Sequence, residues 1–340
     1  MRFTRTVRAT AIAAAAVALV ATSALSASAD PDFVPDSDDL VLVGSDTSEF
    51  VLNDLAALYN DQAPTKRLAS FDATGSAQIT LRAGQTPVNR PNGSGAGITA
   101  LCSNPSVSAA RSSSGPSSSN CAGLVFLPFA KDSLRWMAND DVTGITSLTD
   151  AQLTKIYSCP TDGSADNWND FGGPNLPIVP LIPQLNSGTR NFWATQVGIN
   201  ATTPPSCVKD NVGGQSVQEH DPALVSATAG AIAPVSFGRW DLLTPAQKVG
   251  NFRGAIPTPD SNAYDRNLYQ VVKSVGGAVP ADLADLFGDG DGFSSTFGTP
   301  FICEDADSDP STATAGDVIT DNGFLPLGSA ENGGTCGVVS

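Results

Sequence analysis

The sequence is short of positive charge, of histidine and of long apolar runs. It carries 18 Lys+Arg against 34 Asp+Glu, a formal net charge of −16. Duplex binding leans on lysine and arginine to neutralise phosphates, so no nucleic-acid partner is expected. There is 1 histidine, His220, and the polar run VQEHDPAL around it reads as surface. One histidine and no Cys-x-x-Cys pair leave no zinc set of the usual kind, and no metal or other cofactor is expected. A Ser–His relay has a single histidine to draw on. Ser94 and Ser187 are flanked by glycine, but Asn92 and Leu185 stand where Gly-x-Ser-x-Gly needs its first glycine. After the leader, nothing approaches the ~20 apolar residues of a membrane helix.

What is there begins with that leader. Arg2, Arg5 and Arg8 precede an apolar run from Ala11 to Ala21, and Ala27-Ser28-Ala29 precedes Asp30. This is the three-part pattern of a secretory signal peptide over residues 1–29. No cysteine stands at the cut, so no lipoprotein anchor is indicated, and a secreted or extracytoplasmic protein is expected. An even number of cysteines in an exported chain argues for disulfides. Of the possible pairings, chain order favours three local ones: Cys102 with Cys121, Cys159 with Cys207, and Cys303 with Cys336.

Short apolar strands alternate with helices throughout, the pattern of an α/β fold. Strands are expected at Leu40–Gly44, 123–130, 177–182 and 230–237, and a strand, turn and helix start over 69–80. Residues 30–39 read as a polar tail and 103–120 as a Ser-rich loop. Asp46 and Glu49 have capping-box spacing ahead of a helix. Trp136, Trp168, Trp193 and Trp240 lie in apolar surroundings and read as core rather than as a sugar-stacking set. Clustered carboxylates in GDGDG (288–292) and EDADSD (304–309) suit calcium, but their spacing departs from the calcium-loop pattern. A solvated acidic loop is the plainer reading.

One device occurs three times: a strand, a turn of Ser, Thr and Gly, then a helix. The turns are Gly44–Ser48, Asn92–Gly97 and Asn186–Arg190. The first turn of a helix leaves backbone N–H groups unpaired, and the helix dipole adds partial positive charge there. Together they make a ready anion site. Hydroxyls of Thr47, Ser48, Ser94, Ser187 and Thr189 add donors. In open α/β sheets ligands sit at the carboxyl ends of strands, where these turns lie.

Six segments carry a resemblance, in order: LVGSDTSEFVLNDLAALYN, PNGSGAGI, LTDAQLTKIYSC with NWND, NSGTRNF, GAIAPVSFGRW and NAYDRNLYQVVK. The chain resembles the phosphate-binding component of bacterial ABC importers, of the type II periplasmic binding protein family, over about Leu40 to Leu327. That resemblance implies two hinged lobes, 37–128 with 239–340 and 129–238, with crossings near Leu127–Lys131 and Pro234–Arg239. It implies a monomer that holds phosphate or a related oxyanion, with an ABC permease as partner. The implied ligand set is Thr47, Ser48, Ser94, Gly95, Ser113, Ser187, Gly188 and Thr189. Two departures stand out. The family's aspartate falls on Ser113 or Ser114, with Asp46 as a substitute acceptor. The family's arginine falls on Pro183, with Arg111 or Arg190 as replacement. Two other classes stay open: an extracellular hydrolase of phosphate esters, and a calcium-stabilised extracellular interaction protein.

Overall fold

A computed structural model describes residues 30–339 apart from Ser295, Phe297, Ser308, Pro310 and Ser311. The expected signal peptide lies outside the described residues. The fold is mixed α/β. Its main sheet has 9 strands, running Leu68–Ser70, Leu40–Gly44, Ala109–Ser112, Asp265–Lys273, Leu124–Asn139, Ala231–Ser236 and Val179–Pro180 in spatial order. Asn251–Gly254 and Leu325–Pro326 also pair with Leu124–Asn139.

The strand Leu40–Gly44 is buried along its whole length, as a continuous apolar run in a parallel position demands. Its side chains alternate between faces. Leu40 and Leu42 join one apolar cluster with Leu52 and Phe129, and Val41 and Val43 join another with Phe71 and Phe126.

The 16-residue strand Leu124–Asn139 organises the molecule. Phe126, Leu127 and Phe129 feed those two clusters, whereas Leu134, Trp136 and Met137 feed two others. Between these halves the strand carries Lys131, Asp132 and Ser133, a polar waist. The neighbouring strand crosses the same waist, and Arg266 stands directly opposite Asp132 in its register.

Beyond the expected return crossing at Pro234–Arg239, the chain packs again on the second half of the long strand. Asn251–Gly254 pairs with Asn139–Trp136, and Ile256 and Tyr264 belong to the Trp136 cluster. The chain therefore stays on the second half until Asp265. The first expected crossing, Leu127–Lys131, falls on the long strand just before the waist.

Three further expectations need correction. Residues 69–80 contain no helix; they lead into a short hairpin, Gln78–Ile79 with Val88–Asn89. The 30–39 segment is tied down rather than a loose tail, since Arg67 Nη2 donates to Asp39 at 2.5 Å and Phe33 lies under the Arg67 guanidinium. The Asp46–Glu49 capping box does not form: the cap residue is Ser48, with no side-chain cap bond, and Glu49 accepts from the Ala73 N–H instead.

The disulfides are Cys102–Cys121, Cys159–Cys207 and Cys303–Cys336. All four tryptophans are buried. In the acidic tail, Asp305 accepts from Ser329 N and Oγ and from Asn332, so that carboxylate holds a local turn. No helix among the described residues is long and apolar enough to cross a membrane.

Candidate functional site

The three Ser/Thr/Gly turns meet at the waist. The first follows the main-sheet strand Leu40–Gly44, and Gly44 forms a parallel bridge with Asn92 of the second. Gly93 has φ 98 and its missing Cβ leaves room for the Asn186 carbonyl, where a side chain would clash. The Gly95 N–H donates to that same carbonyl at 2.9 Å. Asn92 bonds Gln184 and Gln218 at 2.8 Å each, tying the second turn to the far side.

Hydroxyls gather around this contact. Thr47 Oγ1 lies 3.3 Å from Thr189 Oγ1. Ser113 Oγ lies 3.1 Å from Ser45 Oγ and 3.3 Å from Ser94 Oγ. Gly188 begins the helix Gly188–Gln196 and abuts Ser94 and Ser113 so closely that a Cβ there would overlap both hydroxyls. The amides of Gly188 and Thr189, in the first turn, have no carbonyl within the helix to bond. Ser48 Oγ is buried and lacks a hydrogen-bond partner.

The cation comes from Arg266. Its Nε and Nη2 donate to Asp132 Oδ2 at 3.0 and 2.9 Å. Nη2 also reaches Thr189 Oγ1 at 3.0 Å and Thr47 Oγ1 at 3.3 Å, and Nη1 is buried without a partner. Ser236 Oγ donates to the other Asp132 oxygen at 2.5 Å. A charged fork thus faces two threonine hydroxyls with one N–H group uncommitted, an arrangement suited to an oxyanion.

His220 completes one wall, and its expected surface position is wrong: it is 3 % exposed. Its Nδ1 accepts from the Ser236 N–H at 3.0 Å, so the ring hydrogen is on Nε2, which lies 2.8 Å from Thr47 Oγ1. Burial first, then the charges of Arg266 and Arg239, push its pKa well below the ordinary histidine range. The ring is a neutral donor facing the hydroxyls. Glu219 Oε2 accepts from Thr47 at 3.0 Å. Asp46 lies beside this pair, and burial, followed by the Glu219 and Glu49 charges, raises its pKa well above the usual carboxyl range. Asp46, Glu219 and His220 are close enough together to suggest a metal trio. The hydrogen on Nε2 argues against it, because a ligating nitrogen must present a lone pair.

Of the ligand set implied by resemblance, Thr47, Ser48, Ser94, Ser113, Gly188 and Thr189 converge. Ser187 is buried beside them, its oxygen capping the helix by accepting from Arg190 N at 2.9 Å. Gly95 serves differently, since its amide is committed to Asn186. Arg111 and Arg190 are engaged elsewhere. Arg111 donates to Ser45 O, Ser70 Oγ and Phe71 O, a brace under the first turn. Arg190 donates to Ala201 O, Pro183 O and Asp210. Sequence reasoning missed Arg266, Asp132, His220, Glu219 and Ser236. One signal was available: Arg266 is in phase with buried Leu268 and Gln270 on an alternating strand, so its charge points inward.

A family model described as the PBP superfamily domain matches residues 34–282. The chain belongs to the PBP superfamily. Among solved structures, it is similar to an ABC-type phosphate transport receptor from Vibrio cholerae, at 19 % identity and TM-score 0.51 over 84 % of this chain and 99 % of that one. It is also similar to a putative phosphate ABC transporter substrate-binding protein from Clostridium perfringens, determined with bound phosphate, at 20 % identity and TM-score 0.51 over 70 % of this chain and 89 % of that one. No curated relative matches the sequence. At such identities the likeness is one of fold.

Proposed function

We propose that this is a secreted, monomeric solute-binding protein that closes two lobes over phosphate or a similar tetrahedral oxyanion and delivers it to an ABC permease. The observation that carries the reading is the meeting of Thr47, Thr189 and Arg266: two hydroxyls from opposite sides of the cleft, both within hydrogen-bond reach of one buried guanidinium. The lobes are read as residues 37–130 with 268–339, and 134–264, joined by the two strands of the waist. The leader over residues 1–29 and the three disulfides support export.

In the structure these hydroxyls bond one another. Two donors to one anion oxygen lie about 4.5 Å apart, from bonds of ~2.8 Å spread at a tetrahedral angle. Binding therefore replaces the Thr47–Thr189 contact of 3.3 Å by two bonds to the anion and parts the hydroxyls by roughly 1 Å. Neutral donors contribute ~1 kcal/mol each and the guanidinium ~1.5–3. After the cost of association, that allows micromolar affinity, about −8 kcal/mol.

A hydrolase reading fares worse. A general base needs a nitrogen lone pair towards the nucleophile, and His220 presents its N–H to Thr47. Titration calorimetry of the mature protein with phosphate and with sulfate tests the proposal. Thr189→Ala should weaken binding about tenfold while leaving the fold intact. Unchanged affinity would remove Thr189 from the site, and absence of heat with both anions would end the oxyanion reading.

A further inference from the structure

We propose that closing the cleft takes up a proton, held on Asp46 and shared with Glu219 of the opposite lobe, so that Asp46 is a positioning residue for the wall that touches Thr47. This rests on the functional reading above, which puts Asp46 on one lobe and Glu219 on the other.

The two side chains meet in a closed space. Asp46 is 4 % exposed and Glu219 2 %. One oxygen of each lies within 4.8 Å of the other and of a His220 ring nitrogen. Asp46 Oδ1 and Glu219 Oε1 are both buried with no hydrogen-bond partner. Two enclosed acceptors left bare are costly. The nearby donors are spent. Thr47 gives its hydroxyl hydrogen to Glu219 Oε2 at 3.0 Å. His220 Nδ1 accepts from Ser236 N, so its one ring hydrogen is on Nε2, 2.8 Å from Thr47 Oγ1 and 3.7 Å from Asp46 Oδ1. A proton between the carboxyls answers both oxygens at once, because a protonated carboxyl donates and its neighbour accepts. Asp46 is the holder, since the hydroxyl bond from Thr47 favours the charged form of Glu219.

The surrounding charges keep that proton in place. Glu49 faces Asp46 from the same lobe and adds negative charge. The cations around the pair are committed elsewhere. Arg239 lies 3.7 Å from Glu49 Oε1, Arg111 bonds Ser45 O, Ser70 Oγ and Phe71 O, and Arg266, beyond Thr47, is paired with Asp132. His220 is neutral. Burial first, then the Glu219 and Glu49 charges, raise the Asp46 pKa in agreement with this geometry. When the lobes part, both carboxyls meet water and return towards the ordinary range near ~4. At any pH between the open-form and closed-form values, closure must therefore bind a proton, and a rise in pH opposes it.

Titration calorimetry of the full mature protein with inorganic phosphate, in two buffers of unequal protonation enthalpy, counts the protons taken up. Proton changes of the anion itself are common to the wild type and Asp46→Asn, so the difference belongs to the protein. Near neutral pH the wild type should take up about one proton more than the variant, and its affinity should fall by up to about tenfold per pH unit relative to the variant as pH rises. Asparagine keeps the shape and offers Glu219 an N–H at every pH, so the variant should still bind. Infrared difference spectra read the same proton in the wild type alone: phosphate should add the band of a protonated carboxyl. Equal proton uptake by the two proteins, or no such band, would overturn the inference and leave the oxyanion reading standing. No binding of phosphate to the wild type would overturn both.

Discussion

Gly188→Ala tests the proposed closure separately from folding. Gly188 opens the helix Gly188–Gln196 and has ordinary helical geometry, so alanine is tolerated there and favours the helix by a few tenths to ~1 kcal/mol. The clash is across the cleft. A methyl group at 188 overlaps Ser94 Oγ and Ser113 Oγ and reaches 3.1 Å from Ser94 Cβ. Neither hydroxyl can simply swing away. Ser94 Oγ accepts from Ser113 N at 3.0 Å, and Ser113 Oγ is held by Ser45 at 3.1 Å. Forcing one methylene-sized group into such a contact costs about 1–3 kcal/mol. On the proposed reading only the closed form feels that cost, so the affinity for phosphate should fall about 5- to 150-fold. Calorimetry measures the affinity, and a thermal melt with and without phosphate checks that the unliganded protein stays folded while the ligand-induced shift shrinks. Binding within twofold of the unchanged protein would refute the claim that these turns must meet for the ligand to be held.

Arg266→Met should abolish measurable phosphate binding and, by leaving Asp132 buried and unpaired, lower stability by about 3–5 kcal/mol in denaturant titration; retained binding would remove Arg266 from the site. Arg111→Met and Arg190→Met should each destabilise the fold by about 3 kcal/mol through orphaned carbonyls, with phosphate affinity of the folded protein unchanged; a selective affinity loss would return either arginine to the ligand set. His220 has a folded pKa below its ordinary 6.5, so its contribution to stability is present above 6.5 and is lost as pH falls towards the depressed value. The denaturation midpoint should therefore drop on acidification below that pH, and His220→Gln should flatten the drop; an unchanged slope would show that other groups govern it.

The hydroxyl turns were legible because their chemistry is local. A glycine that permits close approach, a small hydroxyl and a helix start follow one another in the chain, and each turn sits where a strand ends. The α/β class was legible for a similar reason, in apolar runs such as Leu40–Gly44 that no exposed strand would carry. The charged half of the site was not legible because it depends on register. Arg266 and Asp132 are far apart in sequence and meet only because two antiparallel strands cross the waist opposite each other. His220 sits among acidic and polar neighbours, which normally marks surface; here Glu219 and Asp46 are themselves buried, so the polar neighbourhood lies inside the cleft. Where Arg111 and Arg190 reach was not legible, because adjacency along the chain fixes where a Cα lies and not where a long side chain ends. Both turn back to carbonyls of their own side. The late return of the chain, at Asp265 rather than Arg239, escaped notice because the strand Ala231–Ser236 ends at the waist, as a crossing strand would. The short helix after it, Phe237–Asp241, touches both halves, with Trp240 in the Met137 cluster and Arg239 against Phe50.

The acidity of the chain does not oppose an anion in this site, and the reason is distance. Surface carboxylates beyond about 8 Å are largely screened at physiological ionic strength, whereas donors at ~3 Å in a buried site act with little screening. Only the nearest acids count, and two of them are already answered. Asp132 is paired with Arg266 and accepts from Ser236. For Asp46, burial and then the charges of Glu219 and Glu49 make ionisation unfavourable. Glu219 remains in contact through Thr47. On the proposed reading, an oxyanion with no proton of its own would set a lone pair against that carboxylate. One bearing a P–OH would donate to it. On that reading, the role of the family's aspartate, which the resemblance puts at Ser113 or Ser114 with Asp46 as substitute acceptor, falls to Glu219. It lies on the opposite side of the cleft, in a residue that ordinary reading of its neighbours assigns to the surface.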